Sequence, residues 1–408
     1  MDASQAAHYL QQPAAIRERC GQLFELACKQ QLEHFACDLE RLPAAADYVL
    51  GVMRSHYPQL QVPFHSRWRH FEVAGQSRLA PWQPQLDALD PLERARLKVD
   101  LAVVSVLLDA GAGAHWRYRE PGTGDTFQRS EGLAIASLHS FFQGCFSSQP
   151  ALPRADAQGL SQLTEAALAA AFQVSDTNPL VGLSGRVQLL QQLGQVLPQS
   201  PERFGADCPR PGGLVDYLLA QADRNRLAAP AVLQAILQGL GPIWPGRLTL
   251  AGQPQGDVWP HPALPDSGPG SQLVPFHKLS QWLTYSLLEP LMELGLTITD
   301  LDALTGLAEY RNGGLFLDLG VLVPRHGAVT AAAHRPDSAV IVEWRALTVI
   351  LLDRVAQQIR RDLHLDAESL PLAKVLQGGT WTAGRQIAKE QRPGGPPPLQ
   401  IISDGTVF

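Results

Sequence analysis

The sequence lacks any paired-cysteine pattern. Its cysteines, Cys20, Cys28, Cys37, Cys145 and Cys208, are odd in number and contain no CxxC spacing, which excludes both a zinc knuckle and a disulfide framework. The HExxH signature of a helix-borne zinc site is absent and the histidines are scattered, so neither a metal nor a cofactor is expected. No run of about 18 apolar residues is present, and the first eighteen residues have no basic start followed by an apolar stretch. A cytoplasmic location away from the membrane is the expectation. Positive charge is also in deficit: 33 Lys and Arg face 39 Asp and Glu, for a net charge of -6. That balance argues against binding a nucleic acid polymer or an anionic lipid surface, while leaving room for a local basic pocket.

What is present is an ordinary globular balance, 45% hydrophobic and 18% charged, able to bury a sizeable core. A chain of 408 residues exceeds the size at which one core usually stops growing. One large helical domain spanning 1–408, or two packed lobes, is therefore expected. Apolar residues recurring at three and four predict two or three helices between Ser4 and Met53, then helices at Ala95–Leu108, Glu131–Phe142 (capped by Ser130) and Leu160–Phe172. The same spacing predicts helices at Ser184–Leu197, Gly213–Ala228, Pro230–Leu240, His277–Leu294, Asp300–Leu307 and Ile341–Leu363. The fold class is mostly α.

Non-helical structure is expected in four places. Gln59–Leu79 is aromatic and poorly periodic, suiting short strands or an extended crossing segment. Two strand-like runs flank the turn Pro121–Asp125 and predict a small β-hairpin. The Pro- and Gly-rich stretch 241–275 cannot be regular helix and is expected to be an ordered loop. EYRNGG at Glu309–Gly314 reads as a break, and the tail 378–408, with its consecutive prolines, as extended chain.

Chemistry concentrates around Lys278 and Glu309-Tyr310-Arg311, where ions sit in strongly apolar sequence. Burying a charge costs several kcal/mol unless it is paired or used, so Lys278, Glu309 and Arg311 form either an internal ion network or a functional cluster. Asp109 precedes GAGAHW, where it either pairs structurally or joins Trp116 in a ligand pocket. Asp176 lies in a polar turn before a helix carrying Arg186. The FHSRWRHF segment offers Arg67 and Arg69, whose guanidinium forks could clamp a phosphate.

Six blocks, LLDAGAGAHWRYRE, RSEGLAIASLHSFFQG, SDTNPLVG, RPGGLVDYL, LVPFHKLSQWLTYSLLEPL and LTGLAEYRNGGLFLDLGVL, together resemble a fungal and bacterial uracil-catabolism family over nearly the whole chain. The resemblance implies a part in degrading uracil through a ribosylated urea. The order of the blocks also resembles that of the queuosine-salvage N-glycosidases, relatives of helix-hairpin-helix DNA glycosylases, which implies an architecture of that kind. Within it, Asp109–Trp116 is similar to a DALNFxFW block, Ser175–Leu180 to a polar turn, Phe276–Gln281 to FYKRAQ and Ala308–Arg311 to ADYR. Glutamate at 309 replaces an aspartate, His277 replaces a tyrosine, and GAGAH replaces a bulky pocket lining. These departures suit a leaving group smaller than a deazapurine. The resemblance implies a small-molecule ribosylated substrate, with Glu309 and Lys278 as catalytic residues and Asp109, Trp116, Asp176, His277 and Arg311 as substrate-binding residues. Among these, Arg311 is the candidate phosphate ligand. In this reading Lys278 keeps Glu309 ionised against the effect of burial.

Overall fold

The structure is a computed structural model that describes residues 1–244 and 248–402. It is mostly α-helical, with short two-stranded sheets between the helices. The described residues form two compact units, one from 1–65, 248–281 and 300–402, the other from 66–244 and 282–299. None of the described helices is long and apolar enough to cross a membrane.

The first unit is organised around the helix Ala339–Leu363, which starts where the Ser338 side chain accepts from the Ile341 amide and stops where His364 enters the left-handed region at φ 54°. Val340, Trp344, Leu347, Leu351 and Val355 recur at helical spacing and are all buried, the stripe that the apolar periodicity requires. The helices Pro13–Cys28 and Leu42–His56 pack against it. With Ala3–Leu10, they are the three helices expected before Met53. The second unit contains Pro91–Leu107, capped by Asp90 accepting from the Leu92 and Glu93 amides, packed against Arg129–Phe142. The expected hairpin pairs Tyr118–Arg119 with Thr126–Phe127.

Several local expectations are corrected. The helix at 129–142 begins at Arg129 without a side-chain cap, so Ser130 lies inside it. Leu160–Phe172 is two helices, Ala157–Ser161 and Glu165–Ala171, because Thr164 accepts from the Ala167 amide and starts a new one. The helix expected over Gly213–Ala228 ends at Gln221; Arg224 and Asn225 turn at positive φ, and Arg226–Ala228 pairs in parallel with Thr297–Thr299. The Gln59–Leu79 segment carries a 3-10 helix, Arg67–Phe71, and the strand pair Glu72–Val73 with Gln76–Ser77. Asp300–Leu307 contains only a 3-10 turn, Leu301–Ala303.

Within the 241–275 stretch, whose residues 245–247 lie outside the described residues, Val258–Pro260 pairs with Leu273–Pro275. The tail is not extended throughout. A π-helical turn, Leu376–Thr380, runs into the helix Trp381–Gln391, and Gln400–Ile401 pairs with Ala333–His334. Residues 403–408 of the tail lie outside the described residues.

Candidate functional site

The EYRNGG break is instead a helix start. Glu309 is the N-cap of Tyr310–Asp318, and its two carboxylate oxygens accept from the Arg311 amide at 2.7 Å and the Asn312 amide at 2.6 Å. The glycines that suggested a turn serve close packing. A side chain at Gly313 would place its Cβ 2.5 Å from the Trp344 indole, and one at Gly314 would meet Pro398 at 3.0 Å. Gly384 of the helix Trp381–Gln391 likewise lies against the Arg311 backbone carbonyl. Glycine therefore buys interhelical proximity at the ends of these helices.

Glu309 is 8% exposed. Burial pushes its carboxyl above the ordinary glutamate range, and the backbone amides of Arg311 and Asn312, with the charges of Lys278 and Arg311, pull the other way without cancelling it. The expected influence of Lys278 on Glu309 is present in sign, but burial outweighs it. Arg311 is equally buried, its guanidinium 5.0 Å from the Tyr310 ring centre and 5.8 Å from that of Trp381.

Lys278 opens the helix Lys278–Glu293, and its position is fixed by a residue that sequence reasoning missed. Asp257, from the Pro- and Gly-rich stretch, accepts the Lys278 amide at 3.0 Å, the Trp259 indole N–H at 2.6 Å and both Nη atoms of Arg345 at 2.7 Å. Burial alone would raise the Asp257 carboxyl, but the bidentate Arg345 holds it well below the usual carboxylate range. Arg345, 1% exposed, also donates to the Ala308 carbonyl at 3.2 Å and lies 4.0 Å from the Phe276 ring centre. Through these contacts one ion pair ties the start of the Lys278 helix to the residue preceding Glu309. His277, at φ 47°, is buried with its pKa lowered by desolvation; its neutral ring donates from Nε2 to the Leu10 carbonyl at 2.9 Å.

Asp109, Trp116 and Asp176 belong to the other unit. Asp109 pairs with the fully buried Arg67 at 2.7 Å, and Arg67 also donates to Ser105 at 2.6 Å. Arg69 turns to Glu289 and Glu72, so the two arginines of FHSRWRHF serve internal pairs. Trp116 is fully buried, stacked on Phe172 with its indole N–H on the Phe172 carbonyl at 3.0 Å. Asp176 is exposed. Its neighbour Asn178 is the residue that anchors the turn, accepting from the Arg117 amide and donating to the carbonyls of Arg117 and Gln173. Arg186 is buried and donates to the carbonyls of Leu108, Ala110, Gly111 and Val181, pinning the glycine-containing loop after Asp109.

Thus the first unit brings the charges of Lys278 and Arg311 to bear on the buried carboxylate of Glu309. A family profile described as "Protein of unknown function (DUF1688)" matches residues 9–408. The chain belongs to this family. Its relatives include "Protein urg3" of Schizosaccharomyces pombe, 40% identical over 404 residues and covering 96% of each chain. "Uracil catabolism protein 4" of Lachancea kluyveri is 37% identical over 446 residues, covering 100% of each. Family membership extends over both units, so Glu309 and Asp109 alike lie within the matched region.

Proposed function

We propose that the chain acts in uracil catabolism as an N-ribosyl hydrolase, cleaving the C–N bond of ribosylurea or its 5′-phosphate to urea and the ribose product. The observation that carries this reading is Glu309, a buried carboxylate with a raised pKa in the field of Lys278 and Arg311. In the reaction the bond between the anomeric carbon and the urea nitrogen breaks with its electron pair leaving on nitrogen. Positive charge develops on the anomeric carbon and ring oxygen, where an aimed carboxylate is worth several kcal/mol. Water supplies the oxygen that bonds to the carbon, and its proton goes to the urea nitrogen. The reading draws on the first unit alone, together with the pathway named in the "Uracil catabolism protein 4" relative. Arg345 and Asp257 act as positioning residues, through the Lys278 amide and the Ala308 carbonyl.

The test is direct. Purified protein incubated with ribosylurea, ribosylurea 5′-phosphate, uridine and uridine monophosphate is expected to release urea from the ureas, with release lost in Glu309→Gln. A second reading, a carrier that binds the intermediate without turnover, is favoured by one observation: both Glu309 oxygens already accept backbone amides, as a purely structural cap requires. Saturable binding with no urea released would establish the carrier and end the hydrolytic proposal.

A further inference from the structure

Arg311 stands apart from the buried Arg345 and Arg19 and the half-buried Arg392 and Arg17 of its unit. Arg345 is answered by Asp257, Arg392 by Asp318 at 2.7 and 2.6 Å, Arg17 by Asp353, and Arg19 by the Ser271 carbonyl at 3.0 Å. Among the described residues, the Arg311 guanidinium meets no carboxylate, carbonyl or hydroxyl at hydrogen-bonding distance, and its contacts are the faces of Tyr310 and Trp381. Glu309 lowers the cost of its charge at a distance, yet both Glu309 oxygens are occupied by backbone amides. None of the Arg311 nitrogens is among the fully enclosed polar atoms without a partner, so the guanidinium keeps an accessible edge although the residue is 8% exposed.

A guanidinium set among aromatic faces with no protein acceptor must take its hydrogen bonds from water or a ligand at its accessible edge. The fold builds the position with care. Gly384 lets the helix Trp381–Gln391 approach the Arg311 backbone, and the π-helical turn Leu376–Thr380 leads directly into Trp381, a device that often accompanies functional sites. The planar fork is pre-shaped for two oxygens of one anion. With Lys278 and Arg311 both acting on the single carboxylate of Glu309, the local balance favours an incoming negative group.

We propose that Arg311 anchors a phosphate monoester on the sugar of the substrate, so that the phosphorylated form of the N-ribosyl compound is the one the site takes. This rests on the hydrolytic reading above for the identity of the sugar, but its binding step is separable from turnover.

The experiment is calorimetric titration of the full chain with ribose 5-phosphate, ribose and inorganic phosphate, alongside urea release from ribosylurea with and without its 5′-phosphate. Ribose 5-phosphate is expected to bind at least about ten-fold more tightly than ribose, the value of one charge-assisted contact. Arg311→Met is expected to abolish that preference and to raise KM for the phosphorylated substrate alone. Arg311→Lys, which keeps the charge and loses the fork, is expected to bind ribose 5-phosphate about ten-fold more weakly than the native protein. Equal affinity of the native protein for ribose and ribose 5-phosphate would overturn the proposal, as would native affinity in Arg311→Lys, a variant that serves even where Arg311→Met does not fold. Arg311-dependent binding without urea release upholds the phosphate anchor and sinks the hydrolase. Urea release indifferent to the phosphate and to Arg311→Lys does the reverse.

Discussion

Asp257→Asn isolates the ion pair that sets the site. The native carboxylate accepts two guanidinium donors, one indole N–H and the Lys278 amide, while Arg345 is only 1% exposed. Removing the charge leaves Arg345 buried and uncompensated and turns an amide NH2 toward a donor. Breaking a buried pair in this way costs about 3–5 kcal/mol. With an unfolding entropy of roughly 2 cal/mol/K per residue over 408 residues, each kcal/mol is worth about 1.2 °C, so the midpoint should fall by about 4–6 °C if the chain unfolds as one unit. The loss should appear in urea denaturation as well. Because the folded carboxyl titrates below its ordinary value, the native pair contributes stability above the unfolded pKa, and that contribution is lost as pH falls through the folded one. The double variant Asp257→Asn with Arg345→Met should be more stable than Asp257→Asn alone, since no buried charge then remains unpaired. A single variant within about 1 kcal/mol of native stability, or a double variant less stable than the single, would refute this account.

Three further outcomes are expected. If Glu309 acts ionised, kcat/KM should rise with pH through a midpoint above the ordinary value of 4.5, and Lys278→Met should move that midpoint higher still; a limb at or below 4.5 would count against Glu309. Gly313→Ala should destabilise by about 1–3 kcal/mol because its Cβ would lie 2.5 Å from Trp344, and an unchanged denaturation midpoint would show that the helices shift freely. Asp100 is fully enclosed, 3.3 Å from Arg210 with neither charged atom in a hydrogen bond between them, and burial raises its pKa from 3.8 to about 7 despite Arg210 and the Gly212 amide. The fold binds this proton more tightly than the unfolded chain, so its contribution, of order 4 kcal/mol, is complete below pH 3.8 and lost as pH rises toward 7. Asp100→Asn should flatten that part of the stability profile; an unaltered slope would assign it to another group.

The sequence by itself determined the helical character and much of its placement. The stripe from Val340 to Val355 and the helix Pro91–Leu107 are visible because periodic burial and local caps act over a few residues. It also brought forward Lys278, Glu309 and Arg311, since ions embedded in apolar sequence demand a physical reason. Only the tertiary structure decided what those residues meet. Gly313 looks like a turn along the chain, but Trp344, distant in sequence, is why it has no side chain. Asp257 sits in a stretch whose prolines and glycines announce only irregular backbone, yet it receives Arg345 and the first amide of the Lys278 helix. Arg67 and Arg311 are chemically identical in the sequence, and the fold gives Asp109 to one and leaves the other facing aromatic rings. Local patterning fixes which segments coil because those forces are short-ranged; the partner of a buried charge is set by packing among segments far apart in the chain.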